Sequence, residues 1–109
     1  MNILKSYFTG SQVYGTPRPD SDIDLVIRMS SEELAKIVHA QVADTVVWFE
    51  NSPTASLKFG KLNVIACITD DAFEKWAVST VQLELRAPVT REEAIRTYKN
   101  NLICGYSPE

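Results

Sequence analysis

Apolar residues fall in short clusters at strand period and in longer stretches at helical period, and the switches between the two outline the elements of this chain. The run Ser6-Tyr7-Phe8-Thr9 stops at Gly10, which predicts a short strand entering a tight turn. Ser11 to Tyr14 then has room for one helical turn. Residues 15–21, Gly-Thr-Pro-Arg-Pro-Asp-Ser, carry a glycine and two prolines and predict an exposed loop. Residues 22–29 are short and rich in β-branched side chains, the composition of a strand with one or both faces buried.

Ser30 with Glu33 forms a capping box, and Leu34, Ile37, Val38 and Val42 follow at helical spacing. Residues 46–50 predict another strand, ended by Asn51-Ser52-Pro53. Residues 55–59 and 62–68 are strand-like and are joined by Gly60-Lys61, a two-residue link suited to an antiparallel hairpin. Asp70 is a candidate cap for a helix with Phe73, Trp76, Ala77 and Val81 on its inner face. Pro88 interrupts that helix. Thr90 with Glu93 is a second capping box, and the last helix presents Ile95, Tyr98 and Leu102 before Gly105 and Pro108. Trp48 and Trp76 both fall on expected core faces. The order of elements predicts an α+β fold, a mixed β-sheet with helices packed mainly on one face.

Length and composition fit this picture. A chain of 109 residues, 45% hydrophobic and 23% charged, is expected to form one domain over residues 1–109. No apolar run reaches membrane-spanning length, and the start MNILKSYFTG lacks the pattern of a secretory signal, so a cytoplasmic location is expected. Two free thiols, Cys67 and Cys104, are expected there. The net charge of −3 argues against binding of long nucleic acid by phosphate neutralisation alone, but it leaves room for a small nucleotide carried in with a metal ion.

The candidate chemistry lies in Gly10-Ser11 and Asp22-Ile23-Asp24. Glycine lets the backbone turn sharply and approach a phosphate, and the serine hydroxyl adds a hydrogen bond. Asp22 and Asp24, two apart on a strand, project from one face roughly 6.5 Å apart along it. Two such carboxylates repel one another unless a cation lies between them, and Mg²⁺ suits oxygen ligands of this kind. Either piece alone is commonplace, an ordinary turn or a decorated surface. Together they describe a site for a metal-bound nucleoside triphosphate.

This stretch resembles the nucleotidyltransferase superfamily, which includes DNA polymerase beta, kanamycin nucleotidyltransferase and the minimal nucleotidyltransferases of toxin-antitoxin pairs. The resemblance rests on Phe8-Thr9-Gly10-Ser11 and Ser21-Asp22-Ile23-Asp24-Leu25-Val26. It implies the polymerase beta-like palm fold and a Mg²⁺- or Mn²⁺-dependent transfer of a nucleoside monophosphate from an NTP to a hydroxyl of a small molecule or protein. It also implies that Gly10 and Ser11 hold the phosphates and that Asp22 and Asp24 ligate metal. The family's third carboxylate comes from a later strand, and the matching position here is Asn63. An amide oxygen can coordinate Mg²⁺ but brings no charge and accepts no proton. Asn63 is thus open to two readings, a weakened catalytic ligand or a buried amide serving its neighbours. Glu50, Asp70 and Asp71 are the alternative carboxylates, and Lys58 is either a phosphate contact or an exposed strand lysine. Tyr14 and Arg18 flank the phosphate loop, and His39 has no second histidine or cysteine nearby to form a zinc site. Three functions compete: an active transferase served by a protein partner or a homo-oligomer, a catalytically reduced nucleotide-binding or antitoxin-like protein, and an interaction module that uses no nucleotide.

Overall fold

The computed structural model describes residues 5–16, 21–49 and 53–106. The elements run β1 (Ser6–Thr9), α1 (Ser11–Tyr14), β2 (Ile23–Arg28), α2 (Ser31–Ala40), β3 (Thr45–Trp48), β4 (Thr54–Phe59), β5 (Leu62–Cys67), α3 (Asp70–Glu84) and α4 (Arg91–Asn100). The strands form a five-stranded sheet in the order β1-β2-β5-β4-β3. Only β2 and β5 are parallel; the other neighbours are antiparallel. The architecture is the expected α+β mixed sheet. Glu50, Asn51, Ser52, Arg18 and Pro108 lie outside the described residues.

Strand alternation divides the core in two. Val26, Ile65 and Cys67 face α1, α3 and α4, where Tyr14, Trp76, Leu83, Ala94 and Tyr98 cover them. On the other face Ala55, Leu57, Val64 and Ala66 pack under Leu34 of α2, with Ile37 and Val38 alongside. Trp76 is fully buried at the centre of the larger cluster, against Phe49, Tyr98 and Tyr106. Removing a ring in such a position costs about 3–5 kcal/mol.

Both predicted N-caps form: Ser30 Oγ accepts from Glu33 N at 3.1 Å, and Thr90 Oγ1 accepts from Glu93 N at 3.2 Å. The cap of α3 is Thr69 rather than Asp70, its Oγ1 accepting from Ala72 N at 3.1 Å, while Asp70 pairs with Arg28 at 2.9 Å.

Several hydrophobic positions fall elsewhere than the periodicity predicts. Val81 is 55% exposed, because the inner stripe of α3 uses Ser79 and Thr80 instead. Their hydroxyls are satisfied by Lys75 O and Trp76 O one turn back, so burying them carries little penalty. Trp48 is 56% exposed because β3 is the sheet edge, and α2 packs over β4 and β5 rather than over β3. Val42 follows the end of α2, where Gln41 adopts the left-handed conformation, and it is exposed. Leu102 likewise lies past α4 with φ 66° and is exposed, whereas its neighbour Ile103 takes the buried position. Cys67 and Cys104 are both free thiols, and burial pushes the Cys67 pKa up to about 12.

Candidate active site

The pairing of β1 with β2 puts Thr9 opposite Asp24, so the chain leaves the sheet at Gly10 directly beside that carboxylate. Gly10 has φ 83°, a conformation that L side chains rarely adopt. Its carbonyl accepts from Val13 N at 3.0 Å and Tyr14 N at 3.2 Å, which closes the turn into α1. A Cβ at this position would overlap Oδ2 of Asp24 and lie 3.0 Å from its Cγ. Glycine therefore serves two needs here, the positive φ and the close packing of Asp24 against the backbone.

The parallel register of β2 and β5 places Asn63 beside Asp24, and the β4–β5 hairpin places Lys58 beside Asn63. All three side chains lie on one face, with Asp22 just ahead of β2. Asp22, Asp24, Ser56, Lys58 and Asn63 line a cavity of about 210 Å³, closed on the β3 side by Thr45 and Val47. Gly10, Asp22, Asp24 and Asn63 are thus brought together, and Ser11 follows the turn at the start of α1.

The two carboxylates are held differently. Asp22 pairs with Lys58 Nζ at 3.0 Å, which brings the ammonium of this partly exposed lysine to the carboxylate. Asp24 is 3% exposed, and its Oδ1 accepts from Asn63 Nδ2 at 3.1 Å. Its Oδ2 accepts from the hydroxyl of Tyr106 at 2.7 Å. An ammonium on one aspartate and neutral donors on the other relieve the repulsion that a bare pair would suffer.

Asn63 is half-buried and bonded at both ends: its amide nitrogen donates to Asp24, and its oxygen accepts from Ser56 Oγ. The amide turns a donor, rather than a lone pair, toward Asp24. Asp70 lies past the other end of β5, in its pair with Arg28, and Asp71 pairs with Lys75, so neither joins Asp24 as a third carboxylate. Tyr14 is buried and its hydroxyl bonds to that of Tyr98 at 2.8 Å, away from the cavity. His39 is exposed on α2. Among the described residues, no three His, Cys, Asp or Glu side chains cluster as a metal site. The donor set fits one hard divalent cation, with two carboxylates in one cavity, better than it fits two.

Tyr106 escapes a local reading of the sequence. Its contact with Asp24 spans 82 positions, and only the glycine before it, with φ 92°, marks a turn there. Burial first, and then the nearby Tyr14, Tyr98 and Asp24, hold its pKa well above the ordinary tyrosine value, so it stays a phenol and a donor. Next to it Thr9 joins Thr80 at 2.7 Å and Tyr98 at 2.9 Å, a chain of buried hydroxyls behind the aspartate.

No helix among the described residues is long and apolar enough to cross a membrane. The family model described as Nucleotidyltransferase domain matches residues 2–95. Comparison with curated proteins and with solved structures gives no match.

Proposed function

The chain belongs to the nucleotidyltransferase domain family, and on that premise we propose that it transfers a nucleoside monophosphate from an NTP to a hydroxyl of a small molecule or a protein. The observation that carries this reading is the packing of the Asp24 carboxylate against Gly10, with Asp22 lining the same cavity. Gly10 and Ser11 hold the phosphates through backbone and hydroxyl donors. Asp22 and Asp24 hold Mg²⁺ or Mn²⁺, which when bound neutralises the triphosphate and the departing pyrophosphate.

In the transfer, the acceptor oxygen bonds to the α-phosphorus as the bond to the β-phosphate bridging oxygen breaks. Pyrophosphate leaves, and the acceptor proton passes to solvent or to a carboxylate of the pair. Asn63 cannot take that proton and adds no charge, so the chemistry runs slower than with a full carboxylate triad. Lys58 competes with the cation for Asp22, and from its place in the cavity lining its ammonium meets the incoming phosphates. The acceptor is delivered by a protein partner or a second copy of the chain. The transfer takes place in the cytoplasm.

A second reading is a catalytically reduced nucleotide-binding or antitoxin-like protein. It is favoured by the amide donor that Asn63 turns toward Asp24 and by the lysine already paired with Asp22.

Incubation with labelled ATP, CTP, GTP or UTP, Mg²⁺ or Mn²⁺ and candidate acceptors separates the two. Label transfer that disappears in Asp22→Asn supports the transferase. Metal-dependent binding without transfer supports the reduced protein, and absence of both refutes the two readings together.

A further inference from the structure

We propose that Tyr106 is a positioning residue for Asp24, so that the segment following α4 forms part of the metal site. The inference rests on the metal-binding reading given above and extends it beyond residues 2–95, the part of the chain that the family accounts for.

Tyr106 is 5% exposed, and its hydroxyl donates to Asp24 Oδ2 at 2.7 Å. The ring cannot swing away easily. It meets Trp76 edge-on at 4.7 Å between centroids and Tyr98 at 4.8 Å, and Phe49 flanks it at 6.2 Å. The opposite oxygen of Asp24 is tied to Asn63, and Gly10 leaves no slack on the Oδ2 side. A carboxylate oxygen has two lone pairs, so accepting a hydrogen bond from Tyr106 does not by itself exclude coordination of a cation by the same group. Hydrogen bonds of this kind fix the direction of a metal-ligating carboxylate, and losing one typically costs 10- to 100-fold in metal affinity or activity.

The test measures binding of Mn²⁺ alone, by the loss of its free electron paramagnetic resonance signal, to the wild type, Tyr106→Phe and Tyr7→Phe. Tyr7 is the control, since its hydroxyl donates to Phe73 O at 3.1 Å, away from the carboxylates. Phenylalanine keeps the ring at position 106 and removes only the donor. The expected result is affinity about 10- to 100-fold weaker in Tyr106→Phe, unchanged in Tyr7→Phe, with far-ultraviolet circular dichroism alike in all three. A second measurement needs no variant: the ¹³Cζ resonance of Tyr106 in the wild type should shift on addition of Mg²⁺. Tight Mn²⁺ binding by Tyr106→Phe, or a Tyr106 resonance indifferent to Mg²⁺ in a protein that binds it, overturns the positioning role and leaves the metal site standing. A wild type that binds no Mn²⁺ overturns both, and the two failures are told apart by the wild type alone.

Discussion

Asp24 fills the space into which any side chain at position 10 would project, so that Gly10 and Asp24 are sterically interlocked across the β1–β2 pair. Gly10→Ala should therefore suffer twice, from a Cβ at φ 83° and from its overlap with the carboxylate. The combined cost is about 2–4 kcal/mol of stability. Urea denaturation should read that loss, and any folded fraction should bind Mn²⁺ more weakly because Asp24 has been displaced.

Asn63→Asp exchanges a hydrogen-bond donor for a second negative charge beside a buried carboxylate. Without metal the variant should lose about 1–3 kcal/mol of stability. With Mg²⁺ it should regain more stability than the wild type does and transfer label faster. Thermal melts with and without Mg²⁺ check the first part. A folded variant whose melting point ignores the ion would exclude position 63 from the metal site.

Lys58 supplies the positive charge that Asp22 would otherwise draw from a cation. Because the pair is partly exposed, the competition is modest. Lys58→Met should tighten binding of Mn²⁺ alone about two- to fivefold, as read by calorimetric titration. Unchanged or weaker binding would mean that the lysine does not occupy the cation's place.

The four tyrosines of the chain, Tyr7, Tyr14, Tyr98 and Tyr106, all have pKa values raised above the ordinary 10.0, with burial the largest cause in each. A phenol whose folded pKa lies above its unfolded one gives full stability below the unfolded value. That stability is lost as pH rises from there toward the folded value, because the unfolded chain releases its protons first. Each deeply buried tyrosine should add about 1.4 kcal/mol of destabilisation per pH unit above about 10. Tyrosinate absorbance and loss of helical circular dichroism should then rise together on alkaline titration. Tyrosinate formed while the helix signal persists would contradict the buried hydroxyl network.

How much of this was legible in the sequence depends on the range of each contact. Gly10-Ser11 and Asp22-Ile23-Asp24 were readable because turn chemistry and strand alternation are local rules, and Asn63 was readable as the polar position of a neighbouring strand. Neither the direction of its amide nor the ion pair of Lys58 was, since both follow from the register of three strands. On α3 the hydrophobic pattern favoured Val81, but Thr80 is inside, where it meets Thr9, 71 positions away. Trp48 misled for the opposite reason: a large apolar ring signals a core only if something covers its strand, and β3 is an edge. Tyr106 combines both difficulties, a polar group buried by a contact that no local pattern encodes.

For a chain of 109 residues, nuclear magnetic resonance gives the most direct view of where a metal-bound nucleotide sits. Trace Mn²⁺ with a non-hydrolysable NTP should broaden the amide signals of Gly10, Ser11, Asp22, Asp24 and Asn63 first, and Asp24→Asn should abolish the effect. Broadening centred elsewhere, such as around His39 on the opposite face, or an Asp24→Asn protein that responds like the wild type, would contradict the assignment of this site.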